Sequence, residues 1–330
     1  MATKVGIPQS LFYYMYYPMA KTFFSELGVR VLTSGKTSRE IIDAGVREAL
    51  ADACVPIKVF FGHVQTLKNK VDFLFIPRVV CLNGKSIYCP KFLGLPDMIN
   101  HALDGLPKVI DTRIDVRSSR FAVWRAFSVI GSHFSDSKTK ILLAYLKALR
   151  VHKKYKKLQH QGLPPEKAIS AILMGKKEIA AHHKDYHLRF AVLGYPYAVH
   201  DSYISINILE KLNRLGVKVI TVEQVPISQL NKQNNKIPKN MFWTFSDMVL
   251  KSAFHFFENG KVDGIIHLTA FGCGPDSMVD KYMELESKKH THIPFMTVTI
   301  DEHSGEAGIF TRLEAFVDMV KRRKEAMKNA

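Results

Sequence analysis

The chain has 330 residues, 47% of them hydrophobic and 23% charged, enough for two domains of roughly 150 residues each. That balance excludes a disordered chain, a collagen-like fibre and a disulfide-stapled miniprotein. Lys and Arg total 47 against 30 acids, a formal net charge of +17, which attracts anionic partners and says nothing about fold. No apolar run approaches the roughly 20 residues that span a bilayer. The N-terminal stretch is aromatic, is broken by Pro8 and Pro18, and lacks the basic start and cleavage site of a signal peptide. A cytoplasmic chain without a membrane segment is expected.

An internal repeat organises the chain. Val5-Gly6-Ile7-Pro8 returns as Leu193-Gly194-Tyr195-Pro196, and Leu27-Gly28-Val29-Arg30-Val31-Leu32 returns as Leu215-Gly216-Val217-Lys218-Val219-Ile220, both displaced by 188 residues. Each unit reads as an apolar strand, a Gly/Pro turn, a helix of about four turns, a Leu-Gly stop and a β-branched strand. Strand, helix and strand in that order make a βαβ unit, and hence a parallel sheet. The repeat continues more loosely. Helices are predicted over Val55 to Leu67 and Met248 to Glu258, followed by apolar strands over Val71 to Ile76 and Val262 to Leu268. Cys81 follows the first of these strands, and Cys273 the second.

The fold expected is α/β, with two related Rossmann-like, doubly wound lobes over residues 1–137 and 188–330. Residues 138–187 read as a basic helical connector. From Lys138 to Arg189 there are thirteen Lys or Arg and three acids. Ile141, Leu142, Tyr145, Leu146, Leu149 and Tyr155 recur at helical spacing and are the expected apolar face. A second helix is predicted from Glu166 to His182. The charge suits either a solvated helix face or a surface for an acidic partner. His182, His183 and His187 read as surface residues.

Four cysteines in such a chain are candidates for metal binding, catalysis or plain burial. Cys54 precedes Val55-Pro56, where proline suits a first helical turn and the helix start favours thiolate. Cys89 lies in the proline-bounded Tyr88-Cys89-Pro90-Lys91, and Cys273 in Gly272-Cys273-Gly274-Pro275 directly after a buried strand. Ligands of open parallel sheets bind beyond the carboxyl ends of the strands. The three thiols are therefore expected to converge on a cleft between the lobes, in a site of iron–sulfur or zinc type. No CxxC pair is present, so spacing alone leaves the two metals, and a buried-core role, open.

The stretches ACVPIKVFFGHV (53–64), IPRVV (76–80), YCPKFLGLPDM (88–98), FGCGPDSM (271–278) and TIDEHSGEAGIFTRLEAFVDM (299–319) together carry a specific resemblance. They are similar to the acyl-CoA dehydratase activase-related proteins, within the superfamily of 2-hydroxyacyl-CoA dehydratase subunits and double-cubane cluster proteins. The resemblance covers most of both lobes and little of the basic connector. It implies an iron–sulfur cluster (4Fe-4S or larger) held by three cysteines, which match Cys54, Cys89 and Cys273 here. Cys81 lies outside the matching motifs, and its repeat relation to Cys273 keeps it as a candidate fourth ligand. An oxygen-sensitive reductase or dehydratase component acting on an acyl-CoA or small molecule is implied, in a homo- or hetero-oligomer. Its electrons would come from an ATP-hydrolysing iron–sulfur activator. No GxxxxGKS or GxGxxG loop occurs, so that ATPase is expected to be a separate partner.

Asp301-Glu302-His303-Ser304-Gly305-Glu306 follows the strand predicted over Phe295 to Ile300. Glu302, His303 and Glu306 are candidates for general acid–base work, against a plain reading as the start of a helix over Ile309 to Met319. Arg312 is expected to pair with Glu306 or another acid. Phe12-Tyr13-Tyr14-Met15-Tyr16-Tyr17 reads mainly as core, with one or two phenols near the cleft. His63 reads as a satisfied helix histidine. Lys58 and Lys91 each follow a candidate cysteine and either offset its charge or sit exposed. Two other function classes stand beside the redox enzyme: a non-catalytic iron–sulfur carrier within an assembly, and a binder of nucleic acid or another anionic partner. The run Lys153 to Lys157 interleaves only Tyr155, too few aromatics for nucleic acid to rank higher.

Overall fold

A computed structural model describes residues 2–175, 186–237 and 241–329. The chain divides into two compact units, one of residues 1–177 with 242–244, the other of residues 178–241 with 245–330. The first runs β1 (Lys4–Ile7), α1 (Tyr13–Glu26), β2 (Arg30–Thr33), α2 (Arg39–Glu48), α3 (Val55–Leu67), β3 (Phe73–Phe75) and β4 (Arg78–Cys81). It continues with α4 (Pro90–Leu93), α5 (Leu95–Ala102), β5 (Lys108–Ile110), β6 (Arg113–Asp115), α6 (Ala122–Ser132), α7 (Lys138–His160) and α8 (Pro165–Leu173). The second runs β7 (Leu188–Gly194), α9 (Pro196–His200), α10 (Ile208–Arg214), β8 (Val217–Thr221), α11 (Ile227–Lys232) and α12 (Thr244–Asn259). It closes with β9 (Gly264–Ala270), α13 (Gly274–Ser287), β10 (Phe295–Ile300) and α14 (Glu306–Asn329).

The fold is α/β, and the repeat seen in the sequence is a repeat of topology. The first sheet has the order β2-β1-β3-β5 and the second β8-β7-β9-β10, all parallel. The third strand in sequence thus pairs on the far side of the first in both units. Gly28 and Gly216, at matching repeat positions, hold φ of 84° and 78°. This left-handed conformation ends a helix at no Cβ cost and turns the chain into the next strand.

The units differ after their third strand. In the first, Ile76-Pro77 interrupts the strand, and the chain then resumes pairing as β4 against β6 in the register of β3 against β5, with a bulge between Val79 and Cys81. In the second, β9 leads through Cys273 directly into α13. Cys81 therefore ends a strand, whereas Cys273 stands immediately before a helix.

The helix of about four turns expected in each repeat forms as α1 but is broken into α9 and α10. Asp201 accepts hydrogen bonds from the amides of Tyr203 and Ile204, both at 3.0 Å, and Ile206 and Asn207 take φ of 51° and 53°. A local side-chain turn there outcompetes helix propagation.

The basic α7 belongs to the first unit and packs on α1. Its buried residues are Ile141, Ala144, Ala148, Tyr155 and Gln159, and the Tyr155 hydroxyl donates to the Tyr14 carbonyl. The face expected from the sequence is shifted, because Leu142 and Leu146 are exposed. Ala144 and Ala148 are buried where these leucines are not, so the buried stripe follows alanine rather than leucine. The helix expected to reach His182 is α8, ending at Leu173; His182 and His183 lie outside the described residues. Among the described residues no helix is long and apolar enough to cross a membrane.

Candidate functional site

Cys54, Cys89 and Cys273 share one local structure. Each is the residue immediately before a helix, with proline in the first two helical positions: Pro56 in α3, Pro90 in α4 and Pro275 in α13. Proline there supplies a helical φ and sacrifices only an amide that has no intrahelical acceptor. At Cys89 the nearby amides of Phe92 and Lys91 favour the thiolate, yet burial outweighs them and, with Cys54 nearby, pushes its pKa up to about 11. A helix start does not make this thiol a thiolate by itself.

Cys54 and Cys89 belong to the first unit and Cys273 to the second. None of the four cysteines is in a disulfide. Among the described residues, no three side chains of His, Cys, Asp or Glu gather closely enough to hold a metal ion. Cys81 is fully buried, and its thiol donates to Asn83 Oδ1 at 3.6 Å. Of the lysines expected to offset cysteine charge, Lys58 is buried within α3, and Lys91 Nζ donates to the Asp52 carbonyl at 3.3 Å.

The elements that present Cys54 and Cys89 are held by residues of the same sequence motifs. Arg78 on β4 donates from Nη1 to the Leu93 carbonyl at 2.7 Å, and from Nη1 and Nη2 to the two oxygens of Asp97 at 2.6 and 2.7 Å. This fork ties the end of α4 and the start of α5 to the strand. On α3, His63 is fully buried, with Nδ1 2.7 Å from Ser34 Oγ and Nε2 3.0 Å from Thr37 Oγ1. It is the satisfied helix histidine that the sequence suggested, and burial lowers its pKa to about 3, which keeps it neutral.

In the second unit, the sequence reading missed the group under α13. His267 on β9 is fully buried, with Nδ1 2.7 Å from Asp280 Oδ1 and Nε2 3.3 Å from Asp276 Oδ1. Burial alone would lower its pKa, but the two carboxylates outweigh it and raise it to about 9. Thr297 on β10 donates to the same Asp280 oxygen at 2.6 Å. The signal was present as a lone histidine in a buried strand followed by aspartates four apart on the next helix.

Glu302, His303 and Glu306 sit where β10 gives way to α14. Asp301 Oδ1 accepts from the amide of His303 and from Ser304 Oγ, so this is a tight side-chain turn. Glu306 opens α14 and pairs with Lys211 Nζ at 2.8 Å, which lowers its pKa. Arg312 does not pair with Glu306; its Nη2 donates to the Thr297 carbonyl at 2.8 Å. The aromatic cluster is core, as expected, with Tyr13 stacked on Tyr17 at 4.4 Å and Phe12 edge-on to Phe92 at 4.7 Å.

Two family models match this chain. The CoA enzyme activase uncharacterised domain covers residues 4–225, and the 2-hydroxyglutaryl-CoA dehydratase D-component covers residues 132–320, each more than half of the chain. The chain belongs to the acyl-CoA dehydratase activase-related family. It is a component of the 2-hydroxyacyl-CoA dehydratase type, and the two matches overlap across the basic α7. A search of the curated proteins finds no match. In this activase-related chain Cys54 and Cys89 fall under the first match alone and Cys273 under the second.

Proposed function

We propose that this chain is the iron–sulfur component of a dehydratase-type redox system, with Cys54, Cys89 and Cys273 as cluster ligands. It takes low-potential electrons from a separate ATP-hydrolysing activator and reduces or dehydrates an acyl-CoA or a small molecule. The observation that carries this reading is the shared placement of three cysteines, each before a proline-started helix. The donor chemistry fits the group: soft sulfur, apolar burial, and nearby peptide amides that favour the Cys89 thiolate suit thiolate-held iron.

When bound, such a cluster supplies one-electron transfer at low potential. The cysteines would bind it as thiolates, so Cys89, whose thiol is protonated when metal-free, would release its proton on loading. Glu302, His303 and Glu306 form the proposed acid–base group. Lys211 keeps Glu306 ionised, and His303 is exposed in the turn.

The test is iron and acid-labile sulfide content per chain after anaerobic purification and reconstitution. A brown protein is expected, with broad absorption near about 400 nm. Cys54→Ser, Cys89→Ser and Cys273→Ser should each lose iron, and Cys81→Ser should keep most of it. A colourless chain holding only zinc would overturn the proposal, and equal loss in the Cys81 variant would make Cys81 a ligand.

A further inference from the structure

The first unit contains a cavity of about 120 Å³ that none of the chemistry above uses. It lies at the carboxyl end of the sheet, between the end of β1 at Ile7 and the end of β3 at Phe75. With the strand order β2-β1-β3-β5, these are the two strands between which the winding reverses. Ligands of doubly wound sheets bind outside the strands at this switch point. The remaining walls come from α1, α3, β4, α5, β6 and α6 and the loops beside them.

The lining decides the chemistry of the occupant. Every side chain is apolar except Ser10 and the phenols of Tyr13, Tyr16 and Tyr17, and none carries a formal charge. Burial raises the pKa of all three phenols, which keeps them neutral, and the Tyr16 hydroxyl is already engaged with that of Tyr88. A charged ligand would find no counter-ion here. The loop that closes the cavity is also strained. Leu11, a lining residue with 1% exposure, holds φ of 51°, a region that branched side chains avoid. Strain of this kind gathers at ligand-holding loops.

We propose that this cavity binds a small uncharged hydrocarbon group, either one six-membered ring or a branched chain of about five carbons. An apolar cavity of roughly 150 Å³ stays dry and takes up benzene, so the volume here fits a single ring and little more. The group is either a free hydrocarbon or the apolar end of a larger molecule. No cysteine lines the cavity, so its occupancy is independent of the iron–sulfur reading.

Titration of the purified full chain with toluene and with phenylacetate, followed by NMR or calorimetry, tests it. Saturable binding of toluene at one per chain is expected, with equal affinity before and after iron loading. Phenylacetate binding as tightly would identify the end of a larger molecule; toluene binding alone would identify a free hydrocarbon. Ala20→Leu fills the cavity from α1, and Val123→Phe narrows it from the partly exposed α6 wall. Each should weaken binding at least about tenfold, since either side chain would occupy space the ring needs. If Ala20→Leu does not fold, as judged by circular dichroism, Val123→Phe decides. Absence of saturation up to the solubility limit, or unchanged affinity in the folded variants, would overturn the proposal.

Discussion

His267 Nδ1 lies 2.7 Å from Asp280 Oδ1 across the seam between β9 and α13, and Asp276 faces the other ring nitrogen at 3.3 Å. A fully buried imidazole is thereby held as an imidazolium between two carboxylates. Its folded pKa of about 9 stands above the ordinary 6.5. The stability this contributes is complete below pH 6.5 and is lost as pH rises through 9. The loss should be on the order of 3 kcal/mol, because each tenfold gain in proton affinity is worth about 1.4 kcal/mol. Urea unfolding at a series of alkaline pH values should show this slope, and His267→Gln should flatten it. An unchanged slope in the variant would remove the assignment.

His63 in α3 has the opposite sign. Burial lowers its pKa from 6.5 to about 3, so the folded first unit keeps it neutral while the unfolded chain takes up a proton. Its contribution is present above pH 6.5 and is lost as pH falls toward 3. Both tryptophans, Trp124 and Trp243, belong to the first unit, so their fluorescence reports this loss. His63→Gln should reduce the stability lost over that range by about 5 kcal/mol. A variant as acid-labile as the parent would show that other groups drive the transition.

Gly45 and Gly62 mark the crossing of α2 and α3. A Cβ at Gly45 would lie 1.8 Å from the Lys58 carbonyl oxygen, and one at Gly62 the same distance from that of Ile41. Backbone sits on both sides, so neither alanine can be absorbed by a rotamer change. Gly45→Ala and Gly62→Ala should each cost about 1–3 kcal/mol or more. Gly308→Ala, in α14 with open space around it, should instead gain roughly 0.5–1 kcal/mol from helix propensity. Chemical denaturation of the three variants checks the contrast, which a neutral Gly45→Ala would refute.

Arg78 holds α4 through a planar fork, so charge alone should not replace it. Arg78→Lys and Arg78→Met are both expected to speed amide hydrogen exchange across residues 90–97, with the amides of β1 unaffected. Protection equal to the parent in Arg78→Lys would mean that a point charge is enough.

Local chemistry wrote much of the scaffold into the residues. Proline after Cys54 set the start of α3, which runs Val55–Leu67 as predicted, and the run Phe295 to Ile300 forms β10 with the same bounds. The Leu-Gly stops at Gly28 and Gly216 were readable because only glycine takes that backbone conformation cheaply. The family motifs were readable as strings. What they do was not: Arg78 and Asp97 stand nineteen residues apart, and no periodicity says that a strand arginine will grip a helix terminus.

Residue order was enough for the α/β class and the doubled parallel topology, since spacing, turn residues and helix starts act over a few neighbours. Only the folded chain shows which face of α7 is buried, that α9 and α10 replace one helix, that His267 is charged and His63 neutral, and that a hydrocarbon-lined cavity opens beside Leu11. Those outcomes depend on which distant backbone comes close enough to exclude water or supply a counter-charge, and proximity of that kind has no period in the chain.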